Sequence, residues 1–392
     1  MKWTKSWVSY LMVALAAAAF GNTVDVKVET TRAEPTIRWG GAVDVGMGGY
    51  ARAHRLNDGR VMLAYCGGTC GWMRTSGDLG ATWSAARRLV DHDIMKEGDA
   101  AYTNFVGNID FAQLPADHST HPNRIVVSFN YRCRDMAKRP SSIHEMHSDD
   151  NGATWSAPRL LFTANAKEGV YEPFVHVAGS GTLEIYTADE SEPTLEKHNQ
   201  RIAKHVSTDG GDTWGAAQTV CSSMSSVTGW SGRDGMPAVI EWRGHTYLAI
   251  ESRSDSRYLH PRVLTDGARE VPLAEDVPAN MLGGSPYIAA TENYLLLCWQ
   301  QQPGSDERGS SRRVVVAAAP KAEVPASSGS VAGLFRGKST PPLFCGPSER
   351  GSMWNALCPL EGDAFLLVTA RSYADAAGKV RQRVFVTRAS CR

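Results

Sequence analysis

Glu172, in Val170-Tyr171-Glu172-Pro173-Phe174, and Glu251, in Leu248-Ala249-Ile250-Glu251-Ser252, are the carboxylates whose surroundings best fit acid–base work. Each stands among aromatic or apolar neighbours (Tyr171 and Phe174; Ile250), and an apolar setting raises a carboxyl pKa by penalising its charge. Hydrolysis of a glycosidic bond uses such a pair, one carboxyl protonated and the other ionised. Asp189, Glu190 and Asp234 are the rival carboxylates. Other chemistry-bearing types offer less. His144 and His147 lie in one strand-like run and face opposite sides of it, and no H-E-x-x-H helix is present. Cys66 and Cys70 are spaced C-x3-C with no second pair at zinc spacing, so no metal ion and no cofactor is expected. A last candidate is an octamer of form S-x-D-x-G-x-T-W. It reads SGDLGATW at 76–83, SDDNGATW at 148–155 and STDGGDTW at 207–214. Asp150-Asn151-Gly152 echoes part of a calcium loop, but the glutamate at the twelfth position and the flanking helices are missing.

The elements that must position these groups are strands. A chain of 392 residues exceeds the usual single-core size, so two domains or one large repetitive domain is expected. Three consecutive β-type runs recur six times, beginning near 50, 108, 173, 236, 285 and 353. They are rich in Val, Ile, Leu, Tyr and Thr, and turns such as Asn57-Asp58-Gly59 separate several of them. The period of about 60 residues is close to one propeller blade. Nothing between the runs reads as a long amphipathic helix. The fold class is therefore all-β, a six-bladed β-propeller, with a leftover strand at Pro35 to Val45 available to complete the last blade. Two stretches, Asp266 to Leu282 and Val324 to Gly346, are long and irregular enough to cap the mouth.

In each clear copy the octamer follows the third run, which places it at the hairpin between strands three and four. Gly80, Gly152 and Gly211 supply the positive φ of such a turn. Asp78, Asp150 and Asp209 accept backbone N–H groups, and Trp83, Trp155 and Trp214 pin the hairpin between blades. Strand counting puts these hairpins on one face. Starts of first strands and ends of second strands fall on the other, so the octamer is scaffold. The opposite face collects Arg52, Asp110, Tyr171, Glu172, Asp234, Trp354 and Asn355 from first strands. It also collects Arg132, Asp189, Glu190, Glu251, Arg253, Gln300 and Arg371 from second strands. Carboxylates, arginines and aromatics on one mouth suit a carbohydrate; in a purely structural arrangement a glutamate there would instead pair with Arg201, Arg233 or Arg253.

The bulk properties exclude several partners. Lys plus Arg and Asp plus Glu number 41 each, which removes the case for nucleic acid or an anionic membrane surface. Lys2 and Lys5 precede an apolar run from Val8 to Phe20 and then small residues, the pattern of a secretory signal peptide over residues 1–22. The apolar run is short for a membrane span, so residues 23–392 are expected as a secreted, single-domain monomer with no span after cleavage. Eight cysteines permit disulfides there, with pairing left open.

The three octamers resemble the Asp-box of the sialidase superfamily, whose members are six-bladed propellers. Further stretches are more specific: VYEPF at 170–174, QRIAKHVSTDGGDTW at 200–214, RDGMPAV at 233–239 and SMWNALCPL at 352–360. Together they resemble the exo-1,5-α-L-arabinanase family of secreted glycoside hydrolases. The resemblance implies a retaining enzyme that releases short arabinose products from the non-reducing ends of arabinan. It also implies that Glu172 is the acid/base and Glu251 the nucleophile, with Arg52, Asp110, Tyr171, Arg201, Arg233, Asp234, Arg253, Trp354 and Asn355 around the substrate. Two alternatives stay open. A sialidase would use three arginines, with Arg52, Arg253 and Arg312 or Arg371 as candidates, but Trp354 stands where its nucleophilic tyrosine belongs. A carbohydrate-binding propeller without turnover would lack the close carboxyl pair of a retaining enzyme, about 5–5.5 Å apart.

Overall fold

The three-strand sets become the inner strands of six antiparallel sheets. The computed structural model describes residues 33–342 and 349–392, apart from 98–99, 134–140, 165–167, 192–198, 223–231, 253–258, 267–282, 302–312 and 326–330. The first strands of blades one to six are Gly49–Arg55, Ala100–Gln113, Val170–Val177, Asp234–Trp242, Gly283–Ala290 and Glu349–Pro359. Each pairs with the strand that follows it in sequence. Second strands such as Val61–Gly67 and Tyr294–Gln301 read as nearly continuous apolar runs, and their central residues are fully buried. Neighbouring sheets cover both of their faces, so the alternation of a half-exposed strand is lost.

The ring closes as expected. Ile37–Met47 is the outer strand of the sixth sheet, antiparallel to Val380–Cys391, with Ile37 opposite Cys391. Fourth strands complete other blades: Arg87–Val90, Arg159–Thr163, Gln218–Cys221 and Arg336–Ser339. The last of these lies inside the stretch expected to be irregular from Val324 to Gly346, which is therefore partly blade rather than cap. Blade two carries an additional strand, Asp93–Glu97, which forms a hairpin with the start of its long first strand. Residues 1–22, expected as a signal peptide, Arg253, Arg312, Cys345 and all but Asp266 of the stretch to Leu282 lie outside the described residues. No S–S bond joins the seven described cysteines.

All three octamers adopt one geometry. In the second copy, Ser148 Oγ donates to Asp150 Oδ1 at 2.7 Å and accepts the Gly152 N–H at 2.8 Å. The Thr154 N–H and hydroxyl both donate to the Asp150 carboxylate. Those hydrogen bonds, from Thr154 first and then Ser148, hold the Asp150 carboxyl down at about 2. Asp78 and Asp209 repeat the arrangement, and Gly80, Gly152 and Gly211 have φ of 89°, 84° and 97°. The turn's serine, aspartate and threonine are thus committed to one another and to the turn's own backbone. Ser148→Ala removes the acceptor of a buried N–H and should cost about 1–3 kcal/mol in urea unfolding. Asp150→Ala should act in the same direction and leave any activity of the folded fraction intact. A folded Asp150→Ala protein without turnover would return the octamer to the list of reactive groups.

Candidate active site

Every first strand breaks its pairing with its second strand at a β-bulge. At each bulge stands one non-glycine residue in the left-handed region: Tyr50, Asn108, Glu172, Met236, Ser285 and Trp354, with φ between 47° and 56°. Such a conformation costs on the order of 1–3 kcal/mol each and persists only where the surroundings impose it. Its effect here is to aim backbone N–H groups at polar side chains of the preceding blade. The Ser285 N–H donates to Glu251 Oε2 at 2.8 Å, the Met236 N–H to Glu172 Oε2 at 2.7 Å, and the Glu172 N–H to Asn130 Oδ1 at 3.1 Å. Glu251, Asn130 and Gln300 are corresponding positions of their second strands, each opposite the glycine that precedes a left-handed residue. The glutamate site is thus a specialised copy of a contact the fold repeats.

Glu172 and Glu251 come from adjacent blades and meet over Gly235. A Cβ placed on Gly235 would stand 3.0 Å from Glu172 Oε2, 3.5 Å from Glu251 Oε1 and 2.9 Å from Gln200 Nε2. One point that close to both oxygens limits their separation to about 6.5 Å, the lower edge of the spacing that inverting enzymes leave for a water. A Cβ on Gly284 would stand only 2.5 Å from Glu251 Oε2. Both glycines are needed because any side chain there would displace a carboxylate. Glu251 is 6% exposed. Burial, and then the charge of Glu172, push its carboxyl up to about 7, against the opposing pull of the Ser285 N–H and Arg233. Glu251 therefore keeps its proton to a pH at which an ordinary carboxyl has lost it, which suits one member of a two-carboxylate hydrolysis.

The other sequence-predicted residues divide by depth. Tyr171 is half-buried and covers Gly169, with the Arg132 guanidinium 4.8 Å from its ring centroid. Trp354 lies beside Tyr50, ring centroids 6.1 Å apart, and both line a cavity of about 450 Å³ together with Asn108, Phe105 and Arg132. The Tyr50 hydroxyl reaches Sδ of Met236, the residue whose N–H holds Glu172, at 3.7 Å; neither glutamate lines the cavity itself. Arg52 lies deeper, buried with its guanidinium 4.1 Å from the Tyr50 ring centroid and 5.5 Å from that of Tyr287. It donates to the Ala51 and Trp354 carbonyls.

Asp110 is also spent inside the scaffold, accepting from the Val175 N–H and from His54. Arg201 donates two N–H groups to Asp189 and one to Thr219. Asn355 accepts the Thr369 hydroxyl, and Asp234 is fully buried, its N–H on the Gln200 carbonyl. Strand counting gave no measure of depth, and it treated Asp110 as a strand start although it is the eleventh residue of Ala100–Gln113. Gln200, Asn130, Tyr50 and the two backbone donors were not anticipated. A second cavity, about 460 Å³, lies where first strands end, lined by His54, Gln113, His176 and Glu241. It holds no converging carboxylate pair.

No family model matches the chain, and no curated protein matches it. Solved structures do. A mutant of an α-L-arabinofuranosidase from Fusarium graminearum, in complex with an iminosugar inhibitor, superposes with a TM-score of 0.63 at 15% identity, over 89% of this chain and 97% of its own. An α-L-arabinanase from Penicillium chrysogenum, complexed with arabinobiose, gives 0.60 at 17% identity over 88% and 98%. A sialidase from Trypanosoma rangeli, in complex with the inhibitor DANA, gives 0.52 at 13% identity over 88% and 55%. At these identities the likeness is one of fold: this chain is a six-bladed propeller of the kind found in arabinanases and sialidases, a glycoside hydrolase-like architecture.

Proposed function

We propose that the protein is a secreted, retaining exo-glycoside hydrolase that cleaves α-1,5-L-arabinan from its non-reducing ends. The observation that carries this is the convergence of Glu172 and Glu251 over Gly235, with one carboxyl raised to about 7. Glu251 holds the proton and acts as general acid on the glycosidic oxygen, while Glu172 attacks the anomeric carbon from the other side. The resulting glycosyl ester of Glu172 is then opened by water, which gives its proton to the Glu251 carboxylate. This division reverses the roles implied by the arabinanase resemblance, because the buried carboxyl is the one that keeps a proton. The Met236 N–H on Glu172 and the Ser285 N–H on Glu251 hold both groups in register throughout.

The sugar is inferred from the YEPF, RDGMP and SMWNALCPL stretches and from the α-L-arabinofuranosidase and arabinanase folds. Sialic acid is disfavoured by two placements. Trp354 stands in the sequence segment where a sialidase tyrosine is expected, and Arg52 is buried against the Tyr50 ring rather than offered to a carboxylate. The test is a substrate panel on the purified protein: debranched arabinan, arabino-oligosaccharides and sialyl-lactose. Release of short arabinose products from chain ends is the expected outcome. Turnover of the sialoside alone would overturn the assignment of sugar, and binding without turnover of any of them would leave a carbohydrate-binding propeller.

A further inference from the structure

Away from the mouth, one group of side chains has no part in the chemistry above. Cys70, at the start of the third strand of blade one (Cys70–Ser76), faces Asp91 and His92 on the connection that leads from blade one into blade two. Cys70 Sγ lies 3.7 Å from Asp91 Oδ1 and 3.8 Å from His92 Nδ1, with Thr69 Oγ1 3.4 Å from the same nitrogen. Among the described residues this is the one place where three ligand atoms of His, Cys, Asp or Glu lie within 4.8 Å of one another.

We propose that Cys70, Asp91 and His92 form a binding site for a divalent transition-metal ion, with zinc the best fit. Zinc–sulfur and zinc–nitrogen bonds of about 2.3 and 2.0–2.1 Å in a tetrahedron set ligand atoms about 3.5–3.6 Å apart. The observed separations from the sulfur exceed that by only a few tenths of an ångström. A thiolate, an imidazole and a carboxylate together select zinc, cobalt or a similar ion over calcium or magnesium, which prefer all-oxygen sets. Binding converts the Cys70 thiol to a thiolate and releases its proton to solvent. The fourth position falls to water or to Thr69. Arg88 Nη1 donates to Asp91 Oδ1 at 2.7 Å, but both side chains are more than half exposed, and such a pair yields readily to a metal. A cleft bordered by Thr69, Tyr102 and Cys133 lies beside the cluster, at Thr69. The ion would clamp blade one to the connection entering blade two, at a point where no S–S bond joins the described cysteines.

The test uses the full chain, stripped with a chelator and titrated with cobalt(II) and then zinc. One equivalent of cobalt should bind with a thiolate-to-metal charge-transfer band, which zinc displaces while raising the melting temperature. Cys70→Ser should abolish the band. His92→Ala, on the half-exposed connection, should weaken affinity by at least about 100-fold, the upper end for residues that only hydrogen-bond to a metal's ligands. A wild-type protein without the band, a band that survives Cys70→Ser, or an unchanged affinity in His92→Ala would each overturn the site.

Discussion

Alanine at Glu172 should lower kcat on an aryl arabinofuranoside by on the order of 10⁴–10⁶-fold, the scale on which enzymes lose activity with their nucleophile. Alanine at Glu251 should cost about 10²–10⁴-fold, the usual share of general acid catalysis, and least with a leaving group that departs without a proton. Added azide separates the two roles. In Glu172→Ala it enters the vacated space, displaces the aglycone directly and gives a glycosyl azide of inverted configuration. In Glu251→Ala the glycosyl ester on Glu172 still forms, and azide intercepts it to give the retained product. The opposite pairing of products with variants would make Glu251 the nucleophile. Full activity in both variants would remove the pair from the mechanism. The geometry leaves little room for a substitute, since Gly235 and Gly284 admit no side chain between the carboxylates and their backbone donors.

The repeat was legible because inner strands and octamers carry strong local signals. Val61–Gly67 and Tyr294–Gln301 are apolar throughout, and Trp83, Trp155 and Trp214 mark three hairpins at blade spacing. The outer strands were not legible for the opposite reason. Arg87–Val90, Gln218–Cys221 and Arg336–Ser339 are four residues each, rich in charged or polar side chains, and carry no alternation to read. The glutamate pair was found from its neighbours and strand positions, whereas its supports were hidden. Tyr50, Asn108, Glu172, Met236, Ser285 and Trp354 share a backbone conformation and no chemistry, so no motif unites them. A trace does exist: glycine precedes the left-handed residue in four of the six blades, as Gly49, Gly107, Gly235 and Gly284. Depth was the other missing quantity. Arg52 lies mid-strand and Asp110 is the eleventh residue of a strand that begins at Ala100, and both point their polar ends into scaffold contacts, with Tyr50 and Tyr287 in one case and His54 and Val175 in the other.

The proton on Glu251 ties activity to stability, with a sign that can be worked out. Its carboxyl titrates near 4.5 in the unfolded chain and at about 7 in the folded one, raised by burial and by Glu172. Between those values the native state binds more protons than the unfolded state, so stability must fall as pH rises. The contribution is fully present below about 4.5 and gone above about 7. A difference of that size corresponds to roughly 3 kcal/mol. Glutamine keeps the shape and cannot ionise. Glu251→Gln should therefore be more stable than the wild type by roughly 3 kcal/mol at pH 8 in urea unfolding, with the gap closing by pH 5. The same titration sets the alkaline limb of catalysis: kcat/KM should fall as pH rises through about 7, when Glu251 loses the proton that the leaving group needs. Equal pH dependence of stability in wild type and variant would mean that Glu251 is ionised in the folded protein. It could not then serve as the general acid at neutral pH, and the division of roles given above would fail.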